Sequence, residues 1–321
     1  MKKFNFSKKM KLKFVFILVA SVFLARFNVE IPFIAKNILD YSLDLNSTGI
    51  FNSSILLLLT ILGLLASETF RKLLTMGYKS DLYNSLRSFS TRGILNKNFE
   101  DFSEENNQEY ISVYNNDIVE IVNDYYIEFI EIIFDFFSIV IYSISLFSLN
   151  PIMAIVVIFT NLLPPVIPMI FKRKLQDRKD DYLKSMKRYN VRLGDMIKGF
   201  LTIRINRIKN PVYNRMENSS ESNMANLRKY ENTRSFSEIV MGFFAYLNYF
   251  AIILIGAYLI YKNLLTAGGL LAAVAVSEIL VIPVTKISYE INRFNSIKKI
   301  KNNFFRQFGV NDTDEGKIKM N

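Results

Sequence analysis

The sequence predicts an all-α membrane protein with six transmembrane helices and long cytoplasmic helical extensions. Half of its 321 residues are hydrophobic, and these residues gather into six apolar runs. Crossing the hydrocarbon core of a membrane takes ~20 helical residues, and each run has about that length. Two polar segments between the runs, each longer than fifty residues, keep apolar residues at helical spacing and lack Pro- and Gly-rich filler, which favours helices over loops.

The six predicted spans follow one another in chain order. They are Phe14–Ile38, Ile50–Phe70, Tyr126–Leu149, Pro151–Phe171, Phe236–Tyr261 and Leu270–Ile291. Lysines precede the first span as they precede a secretory signal, but the five spans that follow favour a retained transmembrane helix. Arg26 and Glu30 interrupt this span four residues apart on one helical face, where they can neutralise each other.

Three prolines interrupt the fourth predicted span. Pro164, Pro165 and Pro168 each remove a backbone donor, so we expect a kink at this point. The sequence leaves open whether the kink is fixed or flexes during function.

The distribution of charge predicts the orientation. If six spans alternate, basic residues accumulate on one side of the membrane only. That side receives the N-terminal lysines, Arg71, Lys72, Lys79, Lys172, Arg173, Lys174, Arg293, Lys298, Lys299 and Lys301. The positive-inside rule therefore predicts that both termini are cytoplasmic, in a multi-pass protein of the cell (plasma or inner) membrane. The same asymmetry accounts for the net charge of +11 without nucleic-acid binding.

The chain contains neither cysteine nor histidine. Their absence excludes disulfides, cysteine nucleophiles, serine–histidine–aspartate catalysis and metal sites built from thiolates or imidazoles. We therefore expect no catalytic residues and no metal site.

The two long polar segments, Arg71–Tyr125 and Lys172–Ser235, are predicted to extend the membrane helices into the cytoplasm and back. Half of such a segment, as helix, reaches roughly 40 Å. The helical pattern breaks at residues 98–103 in the first segment and between Gly194 and Pro211 in the second, so the chain should reverse there.

Over nearly its whole length the chain resembles the transmembrane domain of type I ATP-binding-cassette (ABC) exporters. The resemblance rests on short motifs in the order and spacing of that family. They are Pro32 followed by Ile38-Leu39-Asp40, Asn98-Phe99, the stretch Tyr110–Ile118, the turn Gly199-Phe200-Leu201-Thr202-Ile203-Arg204, the turn Leu265–Leu270, and Pro283. Two departures concern coupling: the arginine expected near Ser112 and Val113 is missing, and Arg204 stands where the family has lysine.

The resemblance implies a homo- or heterodimer around a substrate pathway. Two nucleotide-binding domains, which bind ATP and Mg²⁺, would drive it. Residues of two cytoplasmic coupling segments would contact those domains: Asp101, Phe102, Asn107, Tyr110, Gly199, Phe200, Thr202 and Arg204. The implied cargo is a peptide, lipid or amphipathic drug-like molecule moved outward. An importer of exporter-like fold, and a stand-alone membrane binding or immunity protein without an energy source, remain as alternatives.

The chain shows no phosphate loop. A phosphate loop requires G-x-x-x-x-G-K-[ST], and the nearest string, Gly194–Leu201, has phenylalanine and leucine in the last two positions. We expect this chain alone not to hydrolyse ATP. Residues 1–308 are assigned to the membrane domain and 309–321 to a polar linker, whose Gly316–Asn321 resembles the start of a nucleotide-binding domain.

Charged residues inside the predicted spans are candidates for the substrate cavity. They are Glu278, Asp135, Glu131, Arg26 and Glu30. An intramembrane carboxylate normally faces a cavity or a partner charge. For Glu278 the sequence leaves both open, and the partner would be Arg26 or Lys286.

Asp124 and Glu128 belong to an acidic stripe on the third helix. Counting outward from the turn at Asn150 places Glu128 level with Lys172, and Asp124 near Lys174 and Arg178 of the fourth helix. We therefore predict that these acidic and basic faces pair, within one chain or between two.

Overall fold

A computed structural model describes residues 6–97 and 107–308, without the side chains of residues 107 and 109. All regular structure in these ranges is helical. The elements are α1 (Lys8–Leu43), α2 (Ser47–Leu95), α3 (residues 107–149), α4 (Pro151–Asn161), α5 (Leu163–Lys198), α6 (Phe200–Ile205), α7 (Lys209–Tyr261) and α8 (Ala267–Phe308).

Six helices in the described ranges are long and apolar enough to cross a membrane, with α4 and α5 counted as one. This finding confirms the predicted fold class. The helices also continue beyond their apolar parts, as predicted for the two polar segments. The longest, α7, has 53 residues and α2 has 49, which at 1.5 Å per residue makes α2 about 74 Å long.

The helix α3 changes its winding along its polar half. It comprises α-helical Asn107–Ser112, π-helical Val113–Asp117, a short α-helical turn Ile118–Glu120, π-helical Ile121–Ile127 and α-helical Glu128–Leu149. Wider π-helical turns rotate the side chains that follow them and are frequent near functional sites. The sequence pattern gave no indication of this change.

The proline-rich part of the fourth span breaks as predicted. The helix α4 ends at Asn161 and α5 begins at Leu163, with proline in its first turn. Proline suits the first turn of a helix, because the backbone N–H groups there lack partners in any case. Pro168 lies farther inside α5.

The chain divides into two compact units. The first comprises the described residues up to Ile158 and from Ile252 onward. Its interior has two clusters of buried apolar side chains. One lies among α1, α2, α3 and α8 and includes Ile17, Leu82, Leu86, Ile121 and Phe304. The other joins α1, α3 and α8 to α4 and the end of α7, and includes Val29, Leu146, Val157, Leu259 and Val276.

The second unit comprises Phe159–Ala251 and is an antiparallel pair of long helices closed by α6. Polar contacts bind its two arms: Ser185 Oγ donates to Asn223 Oδ1 at 3.0 Å, and both side chains are buried. Nearer the apolar end, Asn248 Nδ2 donates to Asn161 Oδ1 at 3.4 Å. Such interhelical hydrogen bonds stabilise helix pairs inside membranes.

Asp40 joins the end of α1 to the start of α8. Its Oδ1 accepts from the backbone N–H of Gly268 at 2.9 Å, and its Oδ2 accepts from Thr266 Oγ1 at 2.8 Å. The carboxylate thus serves as the N-terminal cap of a helix that is distant in sequence. Lys36 Nζ lies 3.2 Å from the same carboxylate. Two of the motifs that carried the family resemblance therefore contact each other.

We predict that Gly268→Ala destabilises the first unit by about 1–3 kcal/mol, the usual cost of overpacking. A Cβ at Gly268 would lie 2.3 Å from the carbonyl oxygen of Lys36 and 2.7 Å from Asp40 Oδ1, so backbone must shift. The measurement is the thermal unfolding midpoint of the purified chain in detergent. Gly194→Ala is the matched control, since its Cβ would meet nothing within 4 Å. Equal midpoints for both variants would contradict the prediction.

Candidate functional site

The helix α6 forms the tip of the second unit. The helix α5 ends at Lys198, the N–H of the following Gly199 donates to Asp195 O at 2.8 Å, and α6 begins at Phe200. After α6, Arg207 adopts a left-handed backbone conformation with φ of 54°, which turns the chain into α7. A short helix therefore lies where the sequence placed the second coupling segment.

The tip exposes large apolar side chains. Phe200, Leu201 and Ile205 are 64, 69 and 70% exposed, and no residue of α6 is buried. A cleft of about 730 Å³ runs between α5, α6 and α7, with Phe200, Arg204 and Tyr213 among its lining residues. A contiguous apolar patch with basic residues at its edge is typical of a protein–protein contact surface.

The other predicted coupling residues have mixed outcomes. Thr202 and Arg204 are exposed on α6. Asp101 and Phe102 lie outside the described residues, and Asn107 is described only by its backbone. Tyr110 is buried: its hydroxyl accepts from Lys97 Nζ at 3.2 Å, and its ring lies 6.4 Å from that of Phe308. Its side chain therefore packs inside the first unit, and its predicted role in coupling stays a prediction.

A charged cluster occupies the first unit near the polar ends of its apolar runs. Arg71 of α2 donates to Glu131 of α3 at 3.0 Å, and its guanidinium lies 4.6 Å from the centre of the Phe134 ring. The arginine is largely buried, and a carboxylate and an aromatic face stabilise its charge, while its buried Nε has no hydrogen-bond partner among the described residues.

Arg293 of α8 is the basic partner of two acidic residues of α3. Its Nη2 lies 2.6 Å from Asp124 Oδ1, and its Nη1 lies 3.5 Å from Glu128 Oε2. The sequence predicted that these acidic residues pair with basic residues of the fourth helix, within one chain or between two. The partner that the single chain shows is instead Arg293 of α8, and pairing between two chains stays a prediction. Counting residues outward from the turn at Asn150 compares membrane heights only within the hairpin of the third and fourth helices. It does not consider α8, which packs against the same face of α3.

Asp135 is buried beside a second acidic residue, Glu290 of α8. No donor among the described residues reaches Asp135 Oδ2 or Glu290 Oε2, and both atoms are buried. Lys286 and Glu131 are the next charges around this pair. Buried carboxyl oxygens normally have hydrogen-bond partners, so these two atoms are the polar groups here most ready to accept a bond from a cation or a proton donor.

The remaining cavity candidates lie elsewhere. Arg26 and Glu30 pair with each other at 2.6 Å, as the sequence predicted. Glu278 is exposed in the single chain, and within residues 6–97 and 107–308 it forms no ion pair, so neither proposed partner neutralises it. The five candidates therefore do not form one cluster in the described chain.

Three residues of the charged cluster were missed by the sequence analysis. The missed residues are Arg71, Arg293 and Glu290. Each of them lies at the end of an apolar run or just beyond it. Such positions look like ordinary solvated flanks in a sequence. The only available signal was the spacing of Lys286 and Glu290, which share one helical face.

A family model described as the ABC transporter transmembrane region matches residues 14–284. The chain belongs to this family. A search of curated proteins finds no match to the chain. The matched region runs from the start of the first apolar run into α8, and so includes five complete spans, the α6 tip and most of the charged cluster.

Family membership shows that the chain is a multi-pass transmembrane domain of an ABC transporter and has a role in transport. Such domains in general associate with nucleotide-binding domains and work as pairs. No nucleotide-binding domain is matched on these 321 residues.

We predict that Arg293→Gln destabilises this ABC transporter domain by about 1–3 kcal/mol, the usual cost of removing one partner of a partly buried polar pair. The carboxylates of Asp124 and Glu128 would lose their counter-charge. The measurement is the thermal unfolding midpoint. Arg306→Gln is the control, because Arg306 is exposed on the same helix.

A double-mutant cycle isolates the cause of that loss. In an Asp124→Asn, Glu128→Gln background, Arg293→Gln should cost clearly less than in the unaltered chain, because no unpaired carboxylate remains. An equal cost in both backgrounds would show that packing of the arginine stem, and not the ion pairs, accounts for the loss.

Proposed function

We propose that this chain is the membrane-spanning part of an ATP-driven ABC exporter, in which two such domains enclose the substrate pathway. The α6 tip carries this proposal. This six-residue helix has no buried side chain, yet three of its residues are large, apolar and exposed. Exposed apolar residues clustered in this way are typical of a surface that another protein covers. An ATPase domain bound there would pull or push on α5 and α7 together.

The length of α5 supports a coupling role. Its polar part, from Lys172 to Lys198, corresponds to a rigid rod of roughly 40 Å. A helix of that length transmits a displacement of its tip to its other end, because bending a hydrogen-bonded helix is costly. Motion of an ATPase domain at α6 would in this way reach the fourth and fifth spans.

The proposed orientation is cytoplasmic for both termini and for the α6 tip. Its support is the excess of lysine and arginine at one end of the spans. ATP is available on that side, so the ATPase domain and its bound Mg²⁺ are placed there. The chain itself supplies no residue to the ATP site in this proposal.

The proposed substrates are amphipathic molecules with a positive charge. Glu278 is an exposed carboxylate in the middle of the sixth apolar run, and Asp135 has an oxygen without a donor. Both would attract a cation in a pathway of low dielectric. A peptide, a lipid with a cationic group or a drug-like amine has this chemistry.

Reassembly with an ATPase tests the proposed function. The coding DNA beyond Asn321 and the neighbouring reading frames are searched for a Walker A sequence and a Leu-Ser-Gly-Gly-Gln signature, and the matching ATPase domain is produced with the chain. We expect Mg²⁺-dependent ATPase activity and outward transport from the assembly, and none from the chain alone. Uptake in place of release would favour the importer alternative, and the lack of any interacting ATPase would favour the stand-alone alternative.

We predict that Phe200→Asp or Leu201→Asp weakens binding of the ATPase domain about tenfold or more, as expected when an apolar hot-spot residue is lost. Co-purification and stimulated ATP hydrolysis measure the effect. Thermal stability of the chain should not change, because both side chains are exposed. Val191→Asp, an equally exposed position on α5 outside the tip, is the control. Equal loss in all three variants would contradict a specific role of α6.

We predict that Glu278→Gln raises the concentration of a cationic substrate needed for half-maximal ATPase stimulation, with little effect on a neutral substrate. The substitution removes one charge and keeps the shape of the side chain. Glu217→Gln, on an exposed part of α7, is the matched control. Unchanged stimulation by every cationic substrate tested would contradict this role.

A further inference from the structure

An aromatic pocket lies in the first unit. Its volume is about 430 Å³, within the range of roughly 300–1,000 Å³ typical of small-molecule sites. The walls come from α1, α2, α3 and α8, with Phe14, Tyr78, Tyr126 and Phe294 as main contributors. Among the described residues, Lys11 is the one charged residue that lines the pocket.

The pocket is at the boundary between the apolar runs and the polar ends of the helices. Phe14 begins the first apolar run and Tyr126 begins the third, while Phe294 follows the end of the sixth by three residues. Aromatic side chains prefer this level of a membrane, because one end of the ring system meets hydrocarbon and the other meets polar groups. An acyl chain can therefore enter the pocket without leaving the bilayer.

Basic residues lie on the helices that line the pocket. Lys8, Lys9 and Lys11 are exposed on the first turns of α1, and none forms an ion pair within the described ranges. Lys13 differs, because its ammonium lies 2.6 Å from Asp81 Oδ2. On α8, Lys301 lies 3.8 Å from the centre of the Tyr125 ring.

We infer that this pocket binds an anionic phospholipid of the adjoining leaflet, with an acyl chain against the aromatic walls and the phosphate at Lys11. The inference goes beyond the proposed transport function. An apolar interior beside unpaired lysines matches the two ends of such a lipid, since lysines near a membrane surface attract anionic headgroups. The lipid would contact four helices of the first unit together.

Tryptophan fluorescence provides a direct test, because the chain contains no tryptophan. Phe129→Trp places a single reporter in the pocket wall, and Phe147→Trp places a control reporter on an exposed face of α3 near its other end. Each variant of the full chain is reconstituted into phosphatidylcholine vesicles with a minor fraction of phosphatidylglycerol. Bromine on the acyl chains quenches tryptophan fluorescence. In each experiment only one of the two lipids is brominated, and the brominated lipid is present at the same mole fraction.

In the Phe129→Trp variant, brominated phosphatidylglycerol should quench the fluorescence about fivefold more effectively than brominated phosphatidylcholine. This ratio corresponds to the ~1 kcal/mol expected for one lysine at an anionic surface. At position 147 the two lipids should quench equally. Equal quenching at position 129 would overturn the preference for an anionic lipid. Failure of both lipids to quench there would overturn the proposal, because the pocket would then be covered by protein.

Lys11→Gln distinguishes a site from general surface attraction. It should remove most of the preference at position 129, whereas Lys9→Gln, which removes the same charge on the same turn without lining the pocket, should retain the larger part. Equal losses of the preference for phosphatidylglycerol in the Lys11→Gln and Lys9→Gln variants would overturn a defined site. If Phe129→Trp fails to fold, Phe294→Trp is the second reporter from the same wall.

Discussion

The hydrocarbon of the membrane offers no hydrogen-bond partner, and the rest of the structure follows from that constraint. Every backbone group of a span must be satisfied inside its own helix, which makes the chain helical. Side-chain charges must be neutralised locally for the same reason. The ion pairs Arg26–Glu30, Arg71–Glu131 and Arg293–Asp124 meet this demand. The last two also bind α3 to α2 and α8, so the contacts that neutralise these charges add to the packing of helices in the first unit.

The two units differ in what holds them together. The first has buried apolar clusters shared by several helices, which fix the helices relative to one another. The second is a long helical pair with few buried apolar residues, and polar contacts such as Ser185 to Asn223 hold its arms. A two-helix arm of this kind buries little surface of its own. Many of its exposed apolar side chains, such as Phe159, Ile170 and Phe243, belong to the two membrane-spanning runs, where hydrocarbon can cover them.

Much of the fold could be predicted from the sequence, because its signals are local. Apolar run length gives the spans, and the prolines give the break at Leu162 between α4 and α5. The α6 turn was found from its motif. The charged cluster was only partly predictable, because the pairing of Arg293 with Asp124 depends on the contact of α8 with α3, and these two residues are 169 positions apart in the sequence. The π-helical turns of α3 have no sequence signature and escaped prediction altogether.

Glu278 is the charge that the single chain leaves unexplained, and its position restricts what can surround it. It lies inside the sixth apolar run, exposed and without an ion pair in the described residues. A carboxylate facing lipid at that depth costs at least ~2.5–3.5 kcal/mol. Arg26, Glu30 and Glu131 avoid such a cost through partners on their own or neighbouring helices. This cost favours water or another protein beside the face of α8 that carries Glu278, which is the environment that the proposed pathway between two paired membrane domains would provide.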